Sequence, residues 1–296
     1  MPPLNKEDLQ RFLSERFPDS AIRFIGEGWS SVAFQADDKI IRFPRTTLRE
    51  YIKERDICDF IRQRISFQIP DISIAEDAEY PYAVHRAVPG EPYSSKYRRG
   101  LDAAARDLLA ADYAKFLAEL HAIDAKEIAG KVPMSRPEVC YPDFSYPKFG
   151  KIAPFLTPYF SNDKLRTLQD IYERAIGAKT EDFVLCHRDV SGRNSTLDKN
   201  NRLAGVFDWG FAGIYERAQE FVQLTDFKQV EFLDQILREY RNITGVEIDK
   251  GRVMDLCAVD ALRAAYERNT AEHLKGLDEK MEWPVARLGA IVEFKD

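Results

Sequence analysis

The spacing of apolar residues changes about ninety residues into the chain. Near its start, apolar positions at helical intervals follow Asn5 and stop before Pro18, which predicts a capped helix. Segments rich in β-branched and aromatic residues, separated by turn residues, then predict strands at 22–25, 31–35, 39–43, 72–75 and 82–88. Between the third and fourth strands, a charged helix capped by Thr47 is predicted over 47–64, and Tyr51 belongs to its apolar stripe.

A helical pattern dominates after the segment PGEP at 89–92, and we place a domain boundary there, between 1–90 and 91–296. A long helix is predicted over 102–125, and its core-facing side chains are Leu108, Leu109, Phe116, Leu117 and Leu120. Short strands are predicted at 183–186, 195–197 and 203–207, with helices beyond 216. A small β-rich lobe followed by a larger helical lobe is an α+β fold, unlike the repeating βαβ units of a doubly wound sheet.

The composition is that of an ordinary globular protein, with 296 residues, 45% hydrophobic residues and a formal net charge of −6. A mildly acidic chain is poorly suited to neutralising nucleic-acid phosphates, and no apolar run approaches the length that spans a membrane. Without a signal-peptide pattern, and with four widely spaced cysteines, the sequence predicts a cytoplasmic protein with reduced thiols. We therefore expect no nucleic-acid or membrane partner, and a monomer or weak dimer.

The strongest chemical signal is the segment VLCHRDVSGRN at 184–194. An apolar strand leads into Asp189, and Asn194 follows five residues later. Phosphoryl transfer to a hydroxyl needs a carboxylate that orients the hydroxyl and an oxygen ligand for Mg²⁺ nearby, and this loop supplies both. A second carboxylate, Asp208, follows a predicted hairpin that returns it beside Asn194, so that both side chains can bind one metal ion.

A weaker signal lies in the N-terminal segment GEGWSS at 26–31, where glycine permits backbone amides to approach phosphate oxygens closely. The candidate nucleotide-binding residues of this loop are Gly28, Ser30 and Ser31. On the 39–43 strand, alternation places Ile40 and Arg42 on one face, where Ile40 can cover a base and Arg42 can reach a phosphate. Glu54 on the following helix can pair with Arg42.

Each of these signals alone has an ordinary explanation, such as a hairpin turn for the glycines or a solvated surface for the charged pair. Their joint order and spacing favour a kinase-like phosphotransferase. With these motifs, the chain resembles the aminoglycoside phosphotransferase family of small-molecule kinases, which share a bilobal protein-kinase-like fold. The resemblance covers about 24–265 and includes the helix YAKFLAELHAID at 113–124, the hinge segment PGE at 89–91 and the segment DWGFAG at 208–213.

The resemblance implies a role for each matching position. Asp189 would be the catalytic base, and Asn194 and Asp208 would be the Mg²⁺ ligands. Arg42 with Glu54 would position the phosphates. The backbone between Arg86 and Val88 would bind the base of ATP or GTP. The family usually carries lysine at the position of Arg42, glycine or asparagine at that of Arg188, and aspartate at that of Glu220. All the carboxylates that the reaction needs are retained, which favours an active enzyme.

Two other functions remain open at this point. A protein kinase carries an Ala-Pro-Glu element after its metal-binding aspartate, and the absence of proline between Pro158 and Pro284 argues against that class. A nucleotide-binding regulatory module without turnover is the other alternative, suggested by Arg42, and assays of ADP release with candidate acceptors would distinguish it from an enzyme.

The acceptor is expected to be the hydroxyl of a small cationic molecule, with aminoglycoside antibiotics as the leading class. The segment 216–279 carries more acidic than basic residues, which suits a polycationic amino sugar. The candidate acceptor-binding carboxylates are Glu231, Asp234, Glu239, Asp260 and Glu267. Each of them is also compatible with an ordinary solvated helix surface, and similar folds phosphorylate macrolides, choline, homoserine and sugar amines.

Overall fold

The computed structural model describes residues 5–28, 31–45, 47–129, 147–270 and 278–295. Its strands are β1 (Ile22–Glu27), β2 (Ser31–Ala36), β3 (Lys39–Pro44), β4 (Ser73–Ala75), β5 (Tyr82–Arg86), β6 (Glu91–Pro92), β7 (Phe183–Cys186), β8 (Ser195–Leu197), β9 (Leu203–Val206) and β10 (Gly213–Glu216). Its α-helices are α1 (Lys6–Arg16), α2 (Arg49–Ile61), α3 (Ser95–Gly100), α4 (Ala103–His121), α5 (Ala125–Ala129), α6 (Phe149–Ile152), α7 (Asn162–Gly177), α8 (Val230–Thr244), α9 (Lys250–Thr270) and α10 (Glu282–Lys295).

An antiparallel sheet with the strand order β1-β2-β3-β5-β4 forms the N-terminal part. Helix α1 packs against it, because Leu9 and Leu13 are fully buried in a small core shared with the strands. The predicted cap of this helix is confirmed, since the Asn5 side chain accepts a hydrogen bond from the Glu7 amide at 2.9 Å.

Alternation along β3 determines which side chains lie on the face of the sheet opposite α1. Ile41 and Phe43 are fully buried in the small core, whereas Ile40 and Arg42 lie on the opposite face and are half-buried. The sequence therefore predicted correctly which β3 side chains face away from α1.

Two smaller sheets hold the loops that carry the candidate chemistry. β7 pairs with β10, and β8 pairs with both β6 and β9. Ser195 on β8 lies opposite Val206 on β9, and the Phe207 amide donates to the Asn194 carbonyl at 2.9 Å. The loop before β8 and the loop after β9 therefore leave the same end of one hairpin.

Helices form most of the C-terminal part, in which α4 packs against α8, and α9 packs against α7 and α10. A large core joins these helices to α2 and to the small sheets. The α+β architecture predicted from the sequence, with a sheet-bearing N-terminal part and a helical C-terminal part, is confirmed.

Several predicted details are wrong. The predicted 47–64 helix is shorter, because α2 begins at Arg49 and ends at Ile61, where the chain enters a turn closed by the Arg64 amide and the Ile61 carbonyl at 2.8 Å. The Thr47 hydroxyl still accepts a hydrogen bond from the Arg49 amide at 3.2 Å. The predicted 102–125 helix ends at His121. Leu108 does not face the core as predicted, since it is 47% exposed while Leu109 is fully buried.

The thiols Cys58, Cys186 and Cys257 are free and buried, while Cys140 lies outside the described residues. Within the described ranges, no helix combines the length and the apolar character that crossing a membrane requires.

Candidate active site

The loop after β7 is held in place by two buried side chains. The backbone amides of His187 and Arg188 donate to the two carboxylate oxygens of Glu220, at 2.5 and 3.1 Å. Burial lowers the pKa of His187, so its ring is neutral. Its Nδ1 accepts from the Asp189 amide at 3.2 Å, and its Nε2 therefore donates to the Phe207 carbonyl at 3.1 Å. Glu220 and His187 thus fix the loop that presents Asp189.

Asp189 and Asn194 are in direct contact across this loop. The Asn194 Nδ2 donates to the Asp189 Oδ2 at 2.7 Å and to the Asp189 carbonyl at 3.0 Å. Burial, followed by repulsion from Asp208, raises the pKa of Asp189 to about 7, although Asn194 opposes the shift. The amide nitrogen of Asn194 is thereby engaged, and its amide oxygen is the atom that can ligate a cation.

Asp208 lies just after β9, at the end of the hairpin that also carries Asn194. Its backbone is in the left-handed region, with φ of +65°, and its side chain remains 47% exposed. Trp209 packs below it, fully buried, with its ring edge-on to His187 at 4.5 Å between centroids. Partial burial of this side chain, followed by the nearby Glu54 carboxylate, raises the pKa of Asp208 against the effect of Arg42.

A chain of contacts joins the N-terminal sheet to this segment. The Arg42 guanidinium on β3 donates to the Glu54 Oε2 at 2.6 Å, as predicted, and its other terminal nitrogen lies 3.7 Å from the Asp208 Oδ1. The second oxygen of Glu54 accepts from the Trp209 amide at 3.0 Å. Glu54 is almost fully buried, so this carboxylate bridges β3, α2 and the segment after β9 in a place shielded from water.

Tyr51 is a residue at this site that sequence reasoning missed, because its pattern marked it as part of an apolar stripe. Its ring lies beneath the Arg42 guanidinium, 4.7 Å from ring centroid to carbon, and is 4% exposed. Burial raises the pKa of its hydroxyl to about 12, partly offset by Arg42. The signal that could have revealed it is its position three residues before Glu54, on the same face of α2.

The donor set fits a divalent cation. Burial and then a neighbouring carboxylate raise the pKa values of both aspartates, since Asp208 acts on Asp189 and Glu54 acts on Asp208, so a bound cation would offset this repulsion. The carboxylate of Asp208 and the amide oxygen of Asn194 are hard oxygen ligands, which Mg²⁺ prefers over nitrogen or sulfur.

The remaining nucleotide-site predictions lie at or just beyond the ends of strands in the N-terminal sheet. The Gly28 amide donates to the Ser31 carbonyl at 2.8 Å and closes the turn between β1 and β2, so this amide is not free for a phosphate in this structure. Ser30 lies outside the described residues. Arg86 ends β5 with an exposed side chain, and Val88 is buried two residues later.

Of the five candidate acceptor carboxylates, Asp260 and Glu267 lie on α9, and Asp260 is close enough to Asp189 to act on its pKa. Asp260 lines a shallow recess with Arg188 and Arg263. Arg263 pairs with Asp260 at 3.2 Å and with Glu267 at 2.6 Å. One arginine therefore already compensates both carboxylates.

The other three candidates, Glu231, Asp234 and Glu239, lie on α8. Asp234 pairs with Lys250 at 2.6 Å, and Glu239 pairs with its neighbour Arg238 at 3.3 Å. The five carboxylates are thus divided between two helices, and four of them already have a basic partner.

Another contact that the sequence did not reveal supports the hairpin. Arg202, in the turn between β8 and β9, donates to the Asp112 Oδ2 on α4 at 2.7 Å, and the Leu203 amide donates to the same oxygen at 3.1 Å. This buried carboxylate fixes the hairpin against the long helix, and with it the positions of Asn194 and Asp208.

Comparisons with known proteins identify the fold and the family. A family model described as the phosphotransferase enzyme family (APH) matches residues 21–254. An APH(2") enzyme in complex with GDP and kanamycin superposes with a TM-score of 0.77, at 19% identity over 98% of this chain and 100% of that chain. The wild-type aminoglycoside 2'-phosphotransferase-IIIa in complex with GDP gives 0.75, at 20% identity over 99% and 100% of the two chains.

Macrolide 2'-phosphotransferase MphH from Brachybacterium faecium gives a TM-score of 0.63, at 17% identity over 95% of this chain and 97% of that chain. At such identities, these likenesses show that the bilobal kinase-like fold is shared. The family model covers most of the sequence, including Arg42, Glu54, Asp189, Asn194 and Asp208. On this evidence the chain belongs to the phosphotransferase enzyme family.

Proposed function

We propose that this phosphotransferase moves the terminal phosphoryl group of ATP or GTP to a hydroxyl group of a small molecule. The observation that carries the proposal is the convergence of Asp189, Asn194 and Asp208 beside the Arg42–Glu54 pair. Related structures hold GDP, ADP or ATP, which supports a nucleotide as the phosphate donor.

Asn194 and Asp208 would hold Mg²⁺, which when bound neutralises phosphate charge and aligns the transferring group. Arg42 supplies a fixed positive charge at the same place, because Glu54 holds its guanidinium. Since Glu54 also accepts from the Trp209 amide, the phosphate-binding arginine and the metal-binding aspartate are positioned by one carboxylate.

Asp189 orients the acceptor hydroxyl and takes its proton. A pKa raised to about 7 suits a group that must accept a proton near neutral pH. Little covalent chemistry is required of the protein in phosphoryl transfer, so positioning and charge neutralisation supply most of the rate enhancement.

We further propose that residues 1–90 form the nucleotide-binding lobe and residues 91–296 carry the catalytic loop and the acceptor site. Arg42 and Glu54 lie in the first part, and the Asp189 loop lies in the second. The donor nucleotide then binds between the two, with Ile40 on the exposed face of β3 against its base.

Aminoglycosides are the first acceptor class to test. Related structures hold kanamycin, gentamicin and streptomycin, and Asp260 and Glu267 lie on the helix that faces the catalytic loop. An amino sugar would have to replace Arg263 as the partner of these carboxylates. That requirement favours macrolides as a second candidate class, because they carry fewer positive charges, and macrolide phosphotransferases share the fold.

The test is acceptor-dependent release of ADP and GDP by the wild type across aminoglycosides, macrolides and small amino alcohols. We expect one class to stimulate release, and Asp189→Asn to reduce the stimulated rate by about 10²–10⁴-fold. Saturable nucleotide binding without turnover on any acceptor would instead indicate a regulatory module. Full activity of Asp189→Asn would contradict the assigned mechanism.

A further inference from the structure

The hydroxyl of Tyr51 is a buried polar group for which the described part of the protein provides no regular hydrogen bond. The residue is 4% exposed, and burial raises the pKa of its hydroxyl, whereas the Ser31 side chain at the start of β2 opposes the shift as a hydrogen-bond donor does. A donor at Ser31 leaves the hydrogen of the Tyr51 hydroxyl without an acceptor. Buried hydroxyl groups are normally hydrogen-bonded, because losing water without a replacement partner costs free energy. A phenylalanine would fill the same space without that cost, so the hydroxyl requires an explanation.

The surroundings of Tyr51 are those of the proposed phosphate site. Arg42 stacks on its ring at 4.7 Å, and Arg42, Glu54 and Asp208 are the charged groups that act on its hydroxyl. The Nε of Arg42 is a second buried polar atom with no hydrogen bond among the described residues. Two unused donors, one on β3 and one on α2, therefore lie beside the metal-binding aspartate.

We propose that Tyr51 is a phosphate-binding residue, whose hydroxyl donates a hydrogen bond to a phosphate oxygen of the bound nucleotide and whose ring supports Arg42. The hydroxyl is protonated at every physiological pH, so it acts as a donor toward an anion. This inference rests on the proposed nucleotide-dependent function and adds to it a residue on α2.

The ring also accounts for arginine where the family usually has lysine. A planar guanidinium stacks on an aromatic face and still presents its terminal nitrogens at the edge, whereas a lysine ammonium is a single point charge. On Tyr51, Arg42 reaches Glu54 with one terminal nitrogen at 2.6 Å and Asp208 with the other at 3.7 Å. Tyr51 and Arg42 thus act as one unit.

The test compares Tyr51→Phe with the wild type, by thermal unfolding with and without MgATP or MgGTP and by steady-state kinetics. Without nucleotide, Tyr51→Phe should unfold at the same temperature as the wild type or higher, because it removes an unpaired buried hydroxyl. With nucleotide, its thermal shift should be smaller, and its KM for the nucleotide should rise about tenfold, with a much smaller change in kcat.

Tyr172→Phe is the matched control. The Tyr172 hydroxyl, on α7 in the C-terminal part, donates to the Pro147 carbonyl at 2.6 Å. This variant should lose stability without nucleotide and keep the full nucleotide-induced shift, which is the opposite pattern. A third variant, Tyr51→Leu, removes the ring as well and should weaken nucleotide binding more than Tyr51→Phe does.

Each other result has a definite meaning. An unchanged nucleotide shift and KM in Tyr51→Phe, while the wild type binds nucleotide, would overturn the phosphate contact. A loss of stability like that of Tyr172→Phe would show that the hydroxyl is satisfied within the protein, and would also overturn it. If Tyr51→Leu and Tyr51→Phe weaken nucleotide binding equally, the ring does not support Arg42 and that part of the proposal is wrong. If the wild type itself shows no response to either nucleotide, the proposed function fails first.

Discussion

At the scale of single residues, burial decides the charge state of the side chains around the site. His85 on β5 is 7% exposed, and its Nδ1 contacts the Arg86 carbonyl at 2.7 Å. Burial, with the positive charge of Arg42, lowers the pKa of His85 from 6.5 to about 4, so the imidazole is neutral in the folded protein. Its protonation therefore opposes folding.

This charge state predicts an acid-dependent loss of stability. Between pH 6.5 and about pH 4, the unfolded chain binds a proton that the folded His85 does not, so stability falls as pH falls through this window. Urea unfolding of the wild type and His85→Gln at about pH 7.5 and about pH 4.5, on either side of the unfolded-state pKa, measures the difference. The wild type should lose about 1–3 kcal/mol more than the variant over this range. Parallel losses would show that His85 is already accessible to protons.

Sequence reasoning could predict which residues of the site approach one another where their approach depends on spacing along the chain. Asp189 and Asn194 are five residues apart in one loop, and a hairpin brings Asp208 to the same place, so their approach could be predicted. The position of Tyr51 could not, because an aromatic residue in an apolar stripe gives no sign of where its hydroxyl lies.

At the scale of elements, strands bounded by polar loops were predicted well and helix faces less so. β7 has the predicted bounds because its apolar run is followed directly by the polar residues His187, Arg188 and Asp189. In α4, Leu108 and Leu109 are adjacent and point about 100° apart, and the sequence does not show which of them α8 and the core will cover. The structure buries Leu109 fully and leaves Leu108 47% exposed.

These two leucines give a prediction with its own control. Leu109→Ala should lower the free energy of unfolding by about 2–5 kcal/mol, because it leaves a cavity in the core. Leu108→Ala, the same chemical change one residue earlier, should alter it by less than about 0.5 kcal/mol. Denaturant titration of both variants provides the measurement, and equal losses would mean that α4 presents a different face to the core.

At the scale of the whole molecule, contacts between distant segments bring the two parts together. The hydrogen-bonded residues Glu54 and Trp209 are 155 residues apart in the sequence, and Arg202 and Asp112 are 90 residues apart. Such pairings follow from tertiary packing, which a single sequence does not reveal. The sequence predicts a domain boundary at 89–92, and the resemblance implies a hinge at 89–91. In the structure, Glu91 and Pro92 also form β6, which pairs with β8 of the hairpin that carries the site.

Gly90 allows the chain before β6 to approach β8 closely, and replacing this glycine tests the approach. Its φ is +95°, and an added Cβ would lie 2.4 Å from the Leu197 carbonyl oxygen. Gly245 also has a positive φ, of +72°, but an added Cβ there would meet open space. Gly245→Ala should therefore cost only about 1–2 kcal/mol from backbone strain, and Gly90→Ala should cost more, because β6 must also move away from β8. Similar melting temperatures for the two variants would contradict the close approach at Gly90.

The central claim is that Asp189, Asn194 and Asp208 meet at one metal–nucleotide site in which they have different tasks. Calorimetric titration of MgATP and MgGTP into the wild type, Asp208→Asn and Asp189→Asn tests this most directly. We predict that Asp208→Asn weakens binding by at least about tenfold, because a charged ligand is lost, while Asp189→Asn binds nucleotide about as tightly as the wild type. Wild-type affinity in Asp208→Asn for the nucleotide that the wild type binds would contradict the account.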